Sequence, residues 1–128
     1  MKILALSKDE DIIKLLDSKA EINCLEITYS QAQKSPYDVI SDTCSAQPSI
    51  LILDDDLLKP NTSNFIESVK KLCQSISIIF LTSDDSIELG RKISPFGVHY
   101  YAIKPVDVNN FSEALDSLIN IKQKNLTH

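Results

Sequence analysis

Tryptophan is absent from this chain of 128 residues, and it holds only two glycines, two histidines, one methionine and three cysteines. Each shortage excludes something. With Gly90 and Gly97 alone, no glycine-rich loop can wrap a nucleotide phosphate. Cys24, Cys44 and Cys73 are odd in number and form no C-x-x-C pair, so neither a disulfide framework nor a zinc site is expected. Buried free thiols in a reducing compartment are the plain expectation. His99 has no ligand partner near it in sequence and reads as a surface residue. A surplus of basic residues is also missing: the net charge is -5. Phosphate contacts dominate affinity for nucleic acid, so direct nucleic-acid binding is not expected. No apolar run approaches the roughly 20 residues that a spanning helix needs. The opening apolar run, Met1 to Leu6, meets Lys8-Asp9-Glu10 too soon for a signal peptide. The expectation is a cytoplasmic protein with no membrane contact.

What remains is ordinary globular composition, 43% hydrophobic and 24% charged, at a length that suits one core. Short apolar runs alternate with helical periodicity. Lys2–Leu6 reads as a buried strand. Ser7-Lys8-Asp9-Glu10 has the form of a capping box, and Ile12, Leu15 and Leu16 follow at helical spacing. Ile22–Ile27 reads as a second strand, with Glu26 suggesting an edge. Pro36 opens a helix over Tyr37–Ser45. Ile50-Leu51-Ile52-Leu53 is wholly apolar, which suits a parallel strand covered on both faces, and it ends in Asp54-Asp55-Asp56. Phe65, Val69 and Leu72 mark a helix face. Ser77–Leu81 is the fourth strand, and Ser83 caps a helix carrying Ile87, Leu89 and Ile93, which Pro95 and Gly97 end. Val98–Ile103 is the fifth strand, stopped by Pro105. Asp107 caps a last helix with Phe111, Ala114, Leu115 and Leu118 on one face. Residues 1–122 form the expected domain, and 123–128 a polar tail or linker.

Five βα units with short, right-handed connections predict an α/β fold: a doubly wound parallel sheet in three layers, helices on both faces. In such folds function gathers at the carboxyl ends of the strands. Those ends are Ser7-Lys8, Asp54-Asp55-Asp56, Thr82-Ser83 and Lys104-Pro105.

At these ends the chain resembles a response-regulator receiver domain of the CheY-like superfamily. Ile50–Asp54 looks like the strand that ends in the phosphoaccepting aspartate. Ile78–Ser83 looks like the strand that ends in the switch Thr/Ser. Gly97 to Pro105 is similar to the family's closing stretch, with Tyr101 as switch aromatic and Lys104-Pro105 as its Lys-Pro pair. The Thr82-to-Lys104 spacing is the family's, and the Asp54-to-Thr82 spacing is slightly short. The resemblance implies strand order 2-1-3-4-5, a cis bond before Pro105, and phosphorelay signalling rather than enzyme activity. Implied partners are a histidine kinase or phosphotransfer protein and an output domain or downstream regulator. The fourth helix, fifth strand and fifth helix, about Ile87–Ile121, would form a docking or homodimer face. In the family's chemistry a carboxylate, here Asp54, attacks a phosphoryl group held by Mg²⁺ and a lysine, here Lys104. Thr82 then bonds the phosphoryl group, and Tyr101 follows inward.

The departure is at the first strand. Ser7 and Lys8 stand where the family has the acidic pair that holds Mg²⁺. A hydroxyl is a weak ligand, and an ammonium repels the ion. The leading expectation is therefore an atypical pseudo-receiver, a Mg²⁺-independent interaction module without a cofactor, in which Lys8 is a candidate ion-pair partner of Asp54. The alternative is an ordinary phosphorylatable receiver in which Asp9 or Asp56 replaces the lost metal ligands. Asp56, rather than Asp54, stands four residues before Pro60, where the family often has a proline. Asp55 and Asp56 otherwise read as plain loop acids. Three crowded carboxylates raise one another's pKa unless compensated. A remote alternative is a haloacid-dehalogenase-like phosphatase with Asp54 as nucleophile and Asp56 as acid/base. Against it, the motif lies far from the N-terminus and no acidic pair follows Lys104.

Overall fold

The computed structural model describes residues 1–29, 38, 40, 41, 43, 45 and 47–126. Five strands form one parallel sheet: β1 (Lys2–Leu6), β2 (Glu26–Tyr29), β3 (Ile50–Asp54), β4 (Ser77–Thr82) and β5 (Tyr100–Ile103). Their order is β2-β1-β3-β4-β5, as expected. β3 is buried along its whole length because helices cover both its faces. β2 lies at the edge, where Glu26 is exposed. Ile22, expected in that strand, instead belongs to helix α1 (Glu10–Asn23) and is exposed. Cys24 ends α1 in the left-handed region and is also exposed, against the expectation of a buried thiol. Cys73 is half-buried, and Cys44 lies outside the described residues.

The alternation of side chains along each strand divides the core in two. Ile3, Ala5, Ile50, Ile52, Ile79 and Leu81 pack on one face of the sheet. They meet Ile12 and Leu16 of α1, and Phe111, Leu115, Leu118 and Ile119 of the last helix, α5 (Val108–Leu126). Leu4, Leu6, Leu51, Leu53, Ile78 and Phe80 pack on the other face. There they meet Phe65, Ile66 and Val69 of α3 (Thr62–Leu72) and Ile93 of α4 (Ile87–Ile93). Leu72, expected on the α3 inner face, is mostly exposed at the helix end. α5 continues to Leu126, so residues 123–126 are helical. Of the helix expected over Tyr37–Ser45, Asp38, Ile40, Ser41, Thr43 and Ser45 are helical, while Pro36 and Tyr37 lie outside the described residues. No described helix is long and apolar enough to cross a membrane.

Two expected caps move by a few residues. Asp9, not Ser7, is the N-cap of α1: its carboxylate accepts from the Asp11 and Ile12 amides, while Ser7 Oγ accepts from the Asp9 amide. A carboxylate at N-cap also favours the positive end of the helix dipole. Ser86, not Ser83, caps α4, accepting from the Leu89 amide. α4 runs into a short 3-10 turn, Ser94–Phe96, and Gly97 closes it at φ 65, a left-handed conformation that glycine takes without steric cost.

Candidate functional site

The strand ends meet as the topology requires. In the ladder, Leu6 pairs with Leu53 and Asp54 with Leu81. Ser7 therefore follows β1 beside Asp54, and Thr82 follows Leu81 on the other side. Lys104 continues β5, its amide donating 2.8 Å to the Thr82 carbonyl. The Lys104-Pro105 bond is cis, as the resemblance implies, and so is Lys59-Pro60.

Lys104 is the centre of the site. Its Nζ lies 2.7 Å from Asp54 Oδ2 and 2.9 Å from Asp56 Oδ2. Asp54 is 3% exposed, and its other oxygen, Oδ1, accepts from the Asp56 amide at 3.0 Å. Asp54 thereby caps a four-residue helix, α2 (Asp55–Leu58). Lys8, a candidate ion-pair partner of Asp54 by sequence, is exposed, and it is Lys104 that reaches the carboxylate. The sheet explains the difference: Lys104 extends directly from β5 toward the strand ends, while Lys8 lies in the turn leading into α1.

Asp56 is not a free loop acid. Its Oδ1 accepts from Ser83 Oγ at 2.7 Å and pairs with Lys59 Nζ at 3.1 Å. Burial by itself raises its pKa, but the hydrogen bonds from Lys104, Ser83 and Lys59 outweigh that and hold it well below the usual carboxylate range. Crowding of three acids does not raise it, because two ammonium groups and a hydroxyl compensate. Burial lowers the Lys104 pKa, and its bonds to Asp54 and Asp56 reverse the sign, leaving it raised.

Asp55 was expected to be a plain loop acid and is buried at 2% exposure. Thr62 Oγ1 donates to its Oδ1 at 2.6 Å, and Thr82 Oγ1 donates to its Oδ2 at 2.8 Å. Thr82 Oγ1 also accepts from the Asp84 amide at 3.0 Å. The Thr82 hydroxyl thus points to Asp55 rather than to Asp54. Nothing in the spacing of Thr62 announces this contact; the fold places the first residue of α3 against the first residue of α2. Lys59 likewise carries no signal in the sequence that marks it as a partner of Asp56.

Tyr101 stacks on Phe80, its ladder partner, with ring centroids 5.0 Å apart. Tyr100 packs on the opposite face, so the two alternate as expected, though both are half-buried. Burial, then the Asp55 and Asp84 charges, raise the Tyr101 pKa. A shallow cleft of about 300 Å³, lined by Gly90, Ser94, Gly97, Val98 and Tyr101, lies beside the ring. A second cleft, about 520 Å³, is at the opposite end of the sheet, between Gln47–Ser49, Leu72–Ile76 and Lys122. His99 is exposed, its amide donating to the Ile78 carbonyl. Asp9 caps α1, its Oδ1 accepting from the Asp11 and Ile12 amides. Among the described residues, no group of three or more His, Cys, Asp or Glu is arranged to hold a metal ion.

Comparison by sequence finds no matching family model and no matching curated protein. Comparison by structure is productive. A CheY-like response-regulator receiver domain protein from Methanospirillum hungatei superposes with a TM-score of 0.76 at 18% identity, covering 97% of each chain. A response regulator from Thermotoga maritima gives 0.72 at 10% identity, covering 93% of this chain and 97% of the other. The chemotaxis protein CheY4 of Vibrio cholerae gives 0.68 at 16% identity, covering 91% and 97%. Strand order, strand-end geometry and these superpositions together give the chain the fold of the response-regulator receiver domains, the CheY-like fold.

Proposed function

We propose that this protein is an atypical receiver-like module of a two-component or phosphorelay system, acting in the cytoplasm through protein contacts and without Mg²⁺. One observation carries the reading: the charges of Asp54 and Asp56 are already met by Lys104 and Lys59. The family's two extra acids at the first strand are Ser7 and Lys8 here. A hard dication wants six oxygen ligands and a surplus of negative charge. The oxygens at the strand ends are one buried carboxylate bonded to an ammonium, one carboxylate shared by two ammoniums, and one serine hydroxyl. The donor set does not fit the ion.

In this reading Asp54 stands at the phosphoacceptor position without serving as one, and Lys104 holds it in a permanent ion pair. The module is not itself an enzyme. Its output is a fixed surface, with the α4–β5–α5 face as the docking or homodimer side. The test is incubation with Mg²⁺ and either acetyl phosphate or beryllofluoride, followed by intact mass and amide chemical shifts. The expected result is no stoichiometric adduct and no shift at Tyr101. Stable labelling of Asp54 with a shift at Tyr101 overturns the reading.

A second reading has one observation in its favour. Asp56 shares Lys104 with Asp54, so a second carboxylate does stand at the strand ends. An ordinary phosphorylatable receiver using Asp56 as a metal ligand predicts measurable Mg²⁺ binding. It also predicts labelling that Asp54→Asn abolishes.

A further inference from the structure

The Thr82 hydroxyl has one hydrogen to donate, and it gives it to Asp55. Its oxygen also accepts from the Asp84 amide. The side chain is fully buried, so water cannot replace either partner. Asp55 is fixed in turn by Thr62 from the start of α3. Both carboxylate oxygens therefore accept hydroxyls, and three elements are tied at one point: the start of α2 just past β3, the start of α3 and the end of β4. Beyond Thr82 the connection to α4 is held amide by amide. Ser83 N donates to Asp56, Asp84 N to Thr82, and Ser86 N to Asp84.

From this we propose that Asp55 is an internal latch, which takes the switch hydroxyl of Thr82 away from the Asp54 pocket and holds the β4–α4 connection in one position without any phosphoryl group. The proposal rests on the reading of Thr82 as the switch residue and supplies the device that keeps the module in one state. A neutral side chain of similar size at position 55 could not do this, because only a carboxylate offers two acceptor oxygens to two buried donors. Charge-assisted hydrogen bonds are also stronger than neutral ones, and more so away from water. Tyr101 lies within the field of Asp55 and of Asp84, so the latch and the aromatic on β5 share one electrostatic environment.

The test uses the full chain without phosphodonor, so that its outcome is independent of whether Asp54 can be labelled. Two quantities are read: hydrogen exchange at the Asp84 and Ser86 amides, and the Thr82 rotamer from three-bond couplings of its methyl group. In the wild-type chain Thr82 holds a single rotamer and both amides are protected. Asp55→Ala averages the rotamer and speeds exchange at Asp84 about tenfold or more, the factor expected for losing one buried charge-assisted bond. Thr62→Val keeps the Asp55–Thr82 bond and leaves exchange at Asp84 within about twofold of wild type. Thr82→Ser keeps the hydroxyl and leaves Asp84 protected. Should Asp55→Ala fail to fold, Asp55→Asn preserves volume with one acceptor oxygen and gives partial loss of protection. The latch is overturned if the Asp55 variant that folds leaves the Thr82 rotamer single and Asp84 protected. It is equally overturned if Thr62→Val frees the β4–α4 connection as much as Asp55→Ala does.

Discussion

Lys104→Met tests the electrostatics of the site most directly. Methionine keeps most of the unbranched stem and removes the ammonium that contacts both Asp54 and Asp56. Among the described residues, Asp54 is then left nearly buried with the Asp56 amide as its donor. Breaking a fully buried pair costs about 3–5 kcal/mol, while an exposed pair is worth about 0–1. The Lys104 side chain is 26% exposed and that of Asp54 4%, which places the loss between these limits, at about 2–3 kcal/mol. With a urea slope of about 2 kcal/mol per molar, the midpoint falls by about 1 M. The assay is equilibrium urea unfolding at pH 7, followed by far-UV circular dichroism. Lys59→Met serves as the control, since that ammonium is half in solvent and should move the midpoint little. The pH dependence has a definite sign. The folded pKa of Asp56 lies below its ordinary 3.8, so its contribution is present above 3.8 and is lost as the pH falls below that value toward the folded pKa. The gap between wild type and Lys104→Met therefore narrows in that window. A Lys104→Met midpoint within about 0.2 M of wild type would refute the reasoning.

Three further outcomes are expected. Gly97→Ala costs about 1 kcal/mol in urea unfolding; the φ of 65 disfavours a side chain, but an added Cβ meets nothing within 4 Å, so the loss stays at the backbone value. Asp9→Ala removes the cap of α1 and costs about 1 kcal/mol by thermal or urea unfolding, with no change at Tyr101. Phe111→Ala empties a fully buried place between α5 and the sheet and costs about 3–5 kcal/mol by the same measurement, whereas Ile87→Ser, at 71% exposure, changes stability by less than about 0.5 kcal/mol.

Much of the architecture is legible in the chain itself. β1, β3 and β4 are buried wherever a continuous apolar run predicts a strand, because a parallel strand covered on both faces buries successive side chains on each side of the sheet. Local chemistry also fixes Asp107 as a helix start and Gly97 as a stop. Where two competent caps stand within three residues, as with Ser7 and Asp9 or Ser83 and Ser86, spacing cannot choose between them. The choice depends on which side chain the tertiary fold claims for another purpose. Ser83 turns its hydroxyl to donate to Asp56 at the end of β4, and Ser86, directly before α4, accepts from the Leu89 amide.

The site divides along the same line. The order of the residue types along the chain, an aspartate after an apolar strand, a threonine after the next and a lysine before a proline, determined that Asp54, Thr82 and Lys104 would share one end of the sheet. Which carboxylate each of them meets was decided only in three dimensions. Thr82 donates to Asp55, Lys104 spans Asp54 and Asp56, and Lys8 stays in solvent. Successive residues in a sequence of three aspartates are chemically identical on paper. They become different when a strand ends, the chain turns, and each carboxylate points toward a different wall of the fold.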